Sequence, residues 1–182
     1  MMATINGRHS VSDLPVMDAS SSRGAGYVWA IARIALGWVF LWAFLDKTFG
    51  LGFSTPGDRA WIEGGSPTTG FLKGTGENTL GDLFSGLAGQ AWVDWLFMIG
   101  LLGVGVALIL GAGLRIAAVA GGLMMVLMWA AELPLTTNPF MDEHLVYAVV
   151  LAGLALVSAG DTLGVGRWWG ATPLVRKYPV LK

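Results

Sequence analysis

The chain has 182 residues, of which 54% are hydrophobic and only 13% are charged, and its mean hydropathy is +0.64. This composition is too apolar for an ordinary soluble domain and indicates a single small integral membrane bundle. The formal net charge of −1 argues against nucleic-acid binding, and the absence of cysteine excludes disulfides, thiol redox chemistry, iron–sulfur clusters and c-type haem attachment by this chain.

The first membrane span is predicted at residues 27–49, after a polar segment (1–26) that we expect to be a flexible cytoplasmic tail. Its apolar part is roughly 28 Å long, enough to cross the hydrocarbon core. Arg33 is costly inside this span unless it snorkels to the headgroups or finds a partner in the bundle, and both interpretations stay open. Lys47 lies on the same helical stripe as Arg33, whereas Asp46 falls on another face.

A long glycine-rich connection, about Gly50 to Ala91, follows the first span. Within it, four apolar residues follow helical spacing after Asn78, which is a favourable N-cap residue. These residues are Leu80, Leu83, Phe84 and Leu87. They predict a short amphipathic helix, which either lies in the membrane interface or packs over the ends of the bundle.

Three further spans are predicted at about 92–112, 114–132 and 142–160, which gives an all-α protein with a four-helix membrane domain at 27–160. The wholly apolar part of the last span is short, so its ends must approach the headgroups or the bilayer must thin. In the second span, small residues recur every four positions, a pattern that lets membrane helices approach closely. They are Gly103, Ala107 and Gly111.

The basic residues predict the orientation. The tail at 161–182 combines bases with tryptophans and is expected to lie on the cytoplasmic membrane surface. Four spans place seven bases on the side of the termini and three on the other side, so the termini are predicted to be cytoplasmic. The seven are Arg8, Arg23, Arg115, Arg167, Arg176, Lys177 and Lys182, and the three are Lys47, Arg59 and Lys73.

The predicted outer ends of the spans carry most of the titratable groups. His144 and Tyr147 are one turn apart at the start of the last span, and Glu132 ends the third span. A carboxylate beside an imidazole and a phenol could bind and protonate a small polar or quinoid group. The alternative is that these side chains are ordinary solvated groups at helix ends.

Four short motifs in this order resemble the DoxX/DoxD family, and the chain is most similar to the DoxD branch, the membrane subunit of thiosulfate:quinone oxidoreductase. The resemblance covers about residues 27–182. The motifs are Arg33…Leu36-Gly37…Phe40…Asp46-Lys47, Ser66-Pro67-Thr68-Thr69-Gly70-Phe71-Leu72, Asn138-Pro139-Phe140-Met141-Asp142-Glu143-His144, and Trp168-Trp169…Pro179.

The resemblance implies a multi-pass protein of a prokaryotic plasma membrane that passes electrons from thiosulfate, or another reduced sulfur species, to membrane quinone at the outer face. The quinone would be a diffusible acceptor, and no haem, iron–sulfur or metal site is expected. Glu132, His144 and Tyr147 would be catalytic through proton transfer and hydrogen bonding. The residues expected to bind substrate or quinone are Arg33, Asp46, Lys47 and Asp142.

We also expect a second protein subunit, because the related enzyme works with one and its sequence is not found in these residues. The competing hypothesis is a non-catalytic accessory or assembly subunit of a larger respiratory or redox complex. A small-solute carrier is disfavoured because the chain shows no repeat of broken helices.

Overall fold

The computed structural model describes residues 19–182, so most of the predicted tail at 1–26, namely residues 1–18, lies outside the described residues. From Ala19 onward the regular secondary structure is all helical and includes no strand, which confirms the predicted all-α class for this part. The helices are α1 (Ala19–Phe49), α2 (Thr69–Gly74), α3 (Gly81–Ser85), α4 (Ala91–Leu110), α5 (Leu114–Ala131), α6 (Glu143–Leu156), α7 (Gly166–Ala171) and α8 (Pro173–Lys177).

Three of the described helices are long and apolar enough to cross a bilayer, over Arg23–Phe49, Ala91–Leu110 and Leu114–Ala131. Such helices indicate an integral membrane protein. Helix α6 is apolar but has only 14 residues. It is about 21 Å long, which is less than the hydrocarbon thickness.

Helices α1 and α4 pack antiparallel at close range through two glycines. A Cβ atom added to Gly37 would lie 2.9 Å from the Cβ of Leu108, and one added to Gly105 would lie 2.8 Å from the backbone nitrogen of Leu41. Gly103, the first residue of the predicted small-residue stripe, has no such neighbour within 4 Å in the described part of the chain. The close approach of α1 to α4 therefore runs through Gly105, two positions from Gly103. Gly111, the last residue of the predicted stripe, does pack closely, since a Cβ there would lie 2.9 Å from the Cα of Gly160.

The core lies where α5 packs on α6 and on α4. Gly121 is at its centre, since a Cβ there would meet Leu151 of α6 at 3.0 Å and Val104 of α4 at 3.1 Å. The side chains of Met98 and Leu154 are fully buried around it. This packing fixes the end of α5 beside the start of α6, where the candidate site is found.

The carboxyl-terminal residues fold back onto the beginning of α5. Arg115 donates a hydrogen bond to the carbonyl of Pro179 at 3.1 Å, and its backbone N–H donates to the carbonyl of Lys182. The Lys182 ammonium lies 3.2 Å from the Asp161 carboxylate. The tail is thus docked on the end of the bundle that holds the α4–α5 turn.

The connection between α1 and α4 covers the opposite end of the bundle. Phe84 of α3 and Leu72 of α2 form a small buried cluster with Ala131 at the end of α5. Asn78 does not cap α3, whose N-cap is Leu80. Its amide instead donates to the carbonyl of Ala131 at 2.8 Å, so this residue caps the end of α5.

Candidate functional site

Three potential proton carriers meet where α5 ends and α6 begins. Glu132 is the C-cap residue of α5, Asp142 is the N-cap of α6, and His144 lies in the first turn of α6. The Nδ1 atom of His144 lies 2.7 Å from Oδ2 of Asp142 and 3.9 Å from Oε2 of Glu132. The structure therefore brings together two of the predicted catalytic residues and one of the predicted binding residues.

Asp142 has two separate partners, one for each carboxylate oxygen. Its Oδ1 accepts the backbone N–H of Leu145 at 3.1 Å, which satisfies one free donor of the first turn of α6. Its Oδ2 holds the imidazole of His144. Burial alone would raise the pKa of this carboxyl, but the hydrogen bonds from His144 and Leu145 outweigh it and lower the pKa below its ordinary value.

Tyr147 lies one turn further along α6 than His144 and packs, partly buried, against the main core. It therefore lies on the predicted helix, between the cluster of Glu132, Asp142 and His144 and the interior of the bundle. The predicted hydrogen bond from Tyr147 to a bound carbonyl group stays a prediction.

An apolar cavity of about 430 Å³ lies at the same end of the bundle, between the first half of α4 and the second half of α5. Its volume is within the range of small-molecule sites. Several lining side chains on α4 and α5 are exposed on the outer surface, so the cavity opens sideways. These exposed lining residues are Trp92, Leu96, Leu123 and Leu127.

Among the residues that the structure describes, Lys47 is the single charged one that lines the apolar cavity, and it is half-buried there. Met128 and Ala131 line the cavity on α5, so this wall comes within one turn of Glu132. Glu132, His144 and Tyr147 are not part of the lining. Lys47 on α1 thus lines the cavity. The cluster of Glu132, Asp142 and His144 lies outside the lining, beside the end of α5.

Asp46 faces away from this arrangement and holds the chain that follows α1. Its Oδ2 accepts the N–H of Ser54 at 3.0 Å and the Ser54 hydroxyl at 2.6 Å, and its Oδ1 accepts the N–H of Phe53 at 3.2 Å. The carboxylate is 1% exposed. These contacts favour a role in closing the turn after α1 rather than in binding a ligand.

Arg33 lies at the other end of the bundle, far from Lys47 along α1. It is fully buried and donates from Nη1 to the carbonyls of Leu108 and Ile109, and from Nη2 to the carbonyl of Leu163 at 2.7 Å. Leu108 and Ile109 belong to the last turn of α4, whose carbonyls have no partner within the helix. Of the two interpretations of Arg33, the structure supports a partner inside the bundle.

Asp94 was not among the predicted site residues, although its hydrogen bonds hold residues that line the cavity. Its Oδ1 accepts hydrogen bonds from the Ser66 hydroxyl at 2.9 Å, from the Thr68 N–H at 3.1 Å and from the Thr68 hydroxyl at 2.5 Å. Pro67 and Thr68 line the cavity. The sequence shows the Ser-Pro-Thr-Thr run, but no pattern in it indicates that its partner is a carboxylate 26 residues away.

The fold and these contacts define a small helical membrane protein with a lateral apolar cavity and an imidazole–carboxylate cluster at one end. Comparisons with protein-family models, curated proteins and solved structures found no significant match to this chain. The DoxX/DoxD resemblance therefore stays a prediction, based on the four sequence motifs.

Proposed function

We propose that this chain is a DoxX/DoxD-like membrane subunit that passes electrons from thiosulfate, or a related reduced sulfur species, to membrane quinone at the outer face. The observation that supports it most is the lateral apolar cavity with one cation, Lys47, beside the cluster of Glu132, Asp142 and His144. A quinone has the matching chemistry, because its tail is apolar and its carbonyl oxygens accept hydrogen bonds. Its tail would enter from the bilayer between α4 and α5.

The reaction requires both electrons and protons to balance. Two thiosulfate ions joined through a new sulfur–sulfur bond give tetrathionate and release two electrons. The quinone takes up these two electrons and two protons and becomes a quinol. Lys47 would stabilise negative charge on the quinone oxygen, and Glu132 and His144 would supply protons at this end of the bundle. Asp142 would hold the imidazole in place.

The proposal includes α6 as a fourth crossing, with both termini cytoplasmic and the bilayer locally thin around this short helix. The site would then face the outside of a prokaryotic plasma membrane. Arg33 does not belong to the proposed site, since its contacts with the carbonyls of Leu108, Ile109 and Leu163 support a packing role.

The test compares Lys47→Met with Lys73→Met, which removes an exposed base from the connection between α1 and α4. The full chain is reconstituted in liposomes that contain ubiquinone or menaquinone, and quinone reduction by thiosulfate is measured. Lys47→Met is expected to lower quinone reduction at least 10-fold, whereas Lys73→Met leaves it unchanged.

Equal rates in the two variants would contradict the assignment of Lys47. A pure, correctly inserted chain without bound quinone or activity, recovered from cells only inside a larger assembly, would favour the accessory subunit instead. Where a second subunit is required for turnover, retention of quinone by the purified chain is measured for the same two variants.

A further inference from the structure

We propose that Glu132, Asp142 and His144 bind a divalent first-row transition-metal ion such as Zn²⁺. The site would join the end of α5 to the start of α6 across the connection between them. This proposal goes beyond the electron-transfer function and does not rest on it; a bound ion would compete with the protons that Glu132 and His144 supply there. It also departs from the expectation, drawn from the sequence, that the chain has no metal site.

The ligand atoms already lie close to the separations that a metal imposes. One oxygen from each carboxylate and one imidazole nitrogen all lie within 4.8 Å of one another. Two ligands of a tetrahedral zinc ion are about 3.4 Å apart, given metal–ligand distances near 2.1 Å. The distances from Nδ1 of His144 are 2.7 Å to Asp142 and 3.9 Å to Glu132, one below and one above this value.

Two of the three ligands are held in place before any ion binds. Asp142 is fixed through Oδ1 by its hydrogen bond from the Leu145 N–H, which leaves Oδ2 to coordinate a cation without loss of the helix cap. His144 is oriented by that same Oδ2 and is only 9% exposed. A metal ion would replace the proton that Nδ1 and Oδ2 now share.

The third ligand, Glu132, is free to move when an ion binds. The Glu132 side chain is 39% exposed, and its residue ends α5 rather than lying inside the helix. A movement of about 0.5 Å toward His144 would bring its Oε2 from 3.9 Å to a zinc-like separation from Nδ1. Water would complete the coordination, as it does in zinc sites with three protein ligands.

The donor set selects the class of ion. Ca²⁺ and Mg²⁺ prefer oxygen ligands alone, whereas an imidazole nitrogen with two carboxylates suits zinc and its neighbours in the first transition row. The chain has no cysteine, which would be the softest protein ligand for a metal. The choice of ion therefore depends on the mixed nitrogen–oxygen donor set.

The experiment uses the purified full chain, stripped of metals with a chelator, in a His9→Ala background that removes the second histidine of the sequence. Zn²⁺ binding is measured by equilibrium dialysis and by the thermal unfolding temperature. We expect about one Zn²⁺ ion per chain and a higher unfolding temperature with the ion, because the ion binds only the folded arrangement.

Three variants decide the result. Glu132→Gln and His144→Ala should each weaken Zn²⁺ affinity at least 10-fold and remove the thermal shift. Glu143→Gln, an exposed acid between Asp142 and His144, should change neither. Lack of saturable binding to the parent chain, or equal affinity in the parent and Glu132→Gln, overturns the proposal. Glu132→Gln settles the question even if His144→Ala does not fold.

Discussion

The guanidinium of Arg33 on α1 donates a hydrogen bond to the carbonyl oxygen of Ile109 in the last turn of α4, at 3.0 Å. Nη1 also bonds the carbonyl of Leu108, and Nη2 reaches the carbonyl of Leu163 on the far side. The Arg33 side chain therefore supplies hydrogen-bond donors to carbonyls of two segments, the end of α4 and the chain at Leu163. Carbonyls accept and cannot donate, so the two segments cannot pair through these groups. Its Nε atom is buried and has no hydrogen-bond partner within residues 19–182, which adds to the cost of placing the cation there.

Arg33→Ala should destabilise the protein by about 3 kcal/mol or more, because it leaves several buried carbonyls without a donor. Arg33→Lys should recover only part of this loss, since one ammonium cannot present a planar fork to two segments. Thermal or denaturant unfolding in detergent measures both. Arg59→Ala, which removes an exposed base, is the control. Equal stability of Arg33→Ala and the parent chain would favour a snorkelling arginine.

Asp94→Asn should loosen the connection between α1 and α4 while the long helices stay folded. The carboxylate holds Ser66 and Thr68, and each hydrogen bond to a charged acceptor contributes about 1.5–3 kcal/mol. Limited proteolysis should cut this connection at least 10-fold faster in the variant. Asp82→Asn, at an exposed acid in α3, should leave the cleavage rate unchanged. Similar rates in both variants would mean that the connection is held elsewhere.

Under the proposed function, His144→Ala should lower quinone reduction roughly 10²-fold, the usual scale for the loss of a general acid. Membrane insertion should be unaffected, because the residue is at the start of α6 rather than in the core. Turnover and unfolding temperature are measured on the same preparation. A variant that loses stability but keeps its specific activity would show that His144 only completes the turn before α6.

The crossing of α6 can be tested with single cysteines, since the chain has none of its own. Glu63, Thr137 and Lys177 are exposed. If α6 crosses the membrane, Glu63 and Thr137 lie on the outer side and Lys177 lies on the cytoplasmic side. In intact cells, an impermeant thiol reagent should label Glu63→Cys and Thr137→Cys but not Lys177→Cys. Labelling of Thr137→Cys and Lys177→Cys alike would show that α6 does not cross.

The sequence predicted the long helices well because each one needs only a sufficient run of apolar residues. Side-chain partners were harder to predict, since they depend on how the helices rotate against one another. The small-residue pattern correctly included Gly111, which packs against Gly160, but it missed Gly105, through which α4 packs on α1. Asn78 was interpreted as a local cap, although its partner is the Ala131 carbonyl on another helix.

The candidate site was partly predictable for a related reason. Asp142 and His144 are two residues apart, so their contact follows from the local turn. Glu132 could be placed nearby because consecutive antiparallel helices bring their adjoining ends together. Arg33 and Lys47 share a helical stripe but lie about 21 Å apart along α1, which is too far for one small site. Residues that share a stripe face the same direction, but their separation along the helix decides whether they can reach one site.

The sideways opening of the apolar cavity has a kinetic consequence. A ligand that enters between Leu96 and Leu123 comes from the lipid phase, so its effective concentration is its mole fraction among the lipids rather than its amount per volume of buffer. Adding inert phospholipid dilutes the quinone in the membrane. The apparent KM, expressed as quinone per volume of buffer, would then rise in proportion to the amount of lipid. The same protein would show different affinities in membranes that differ only in their lipid-to-quinone ratio.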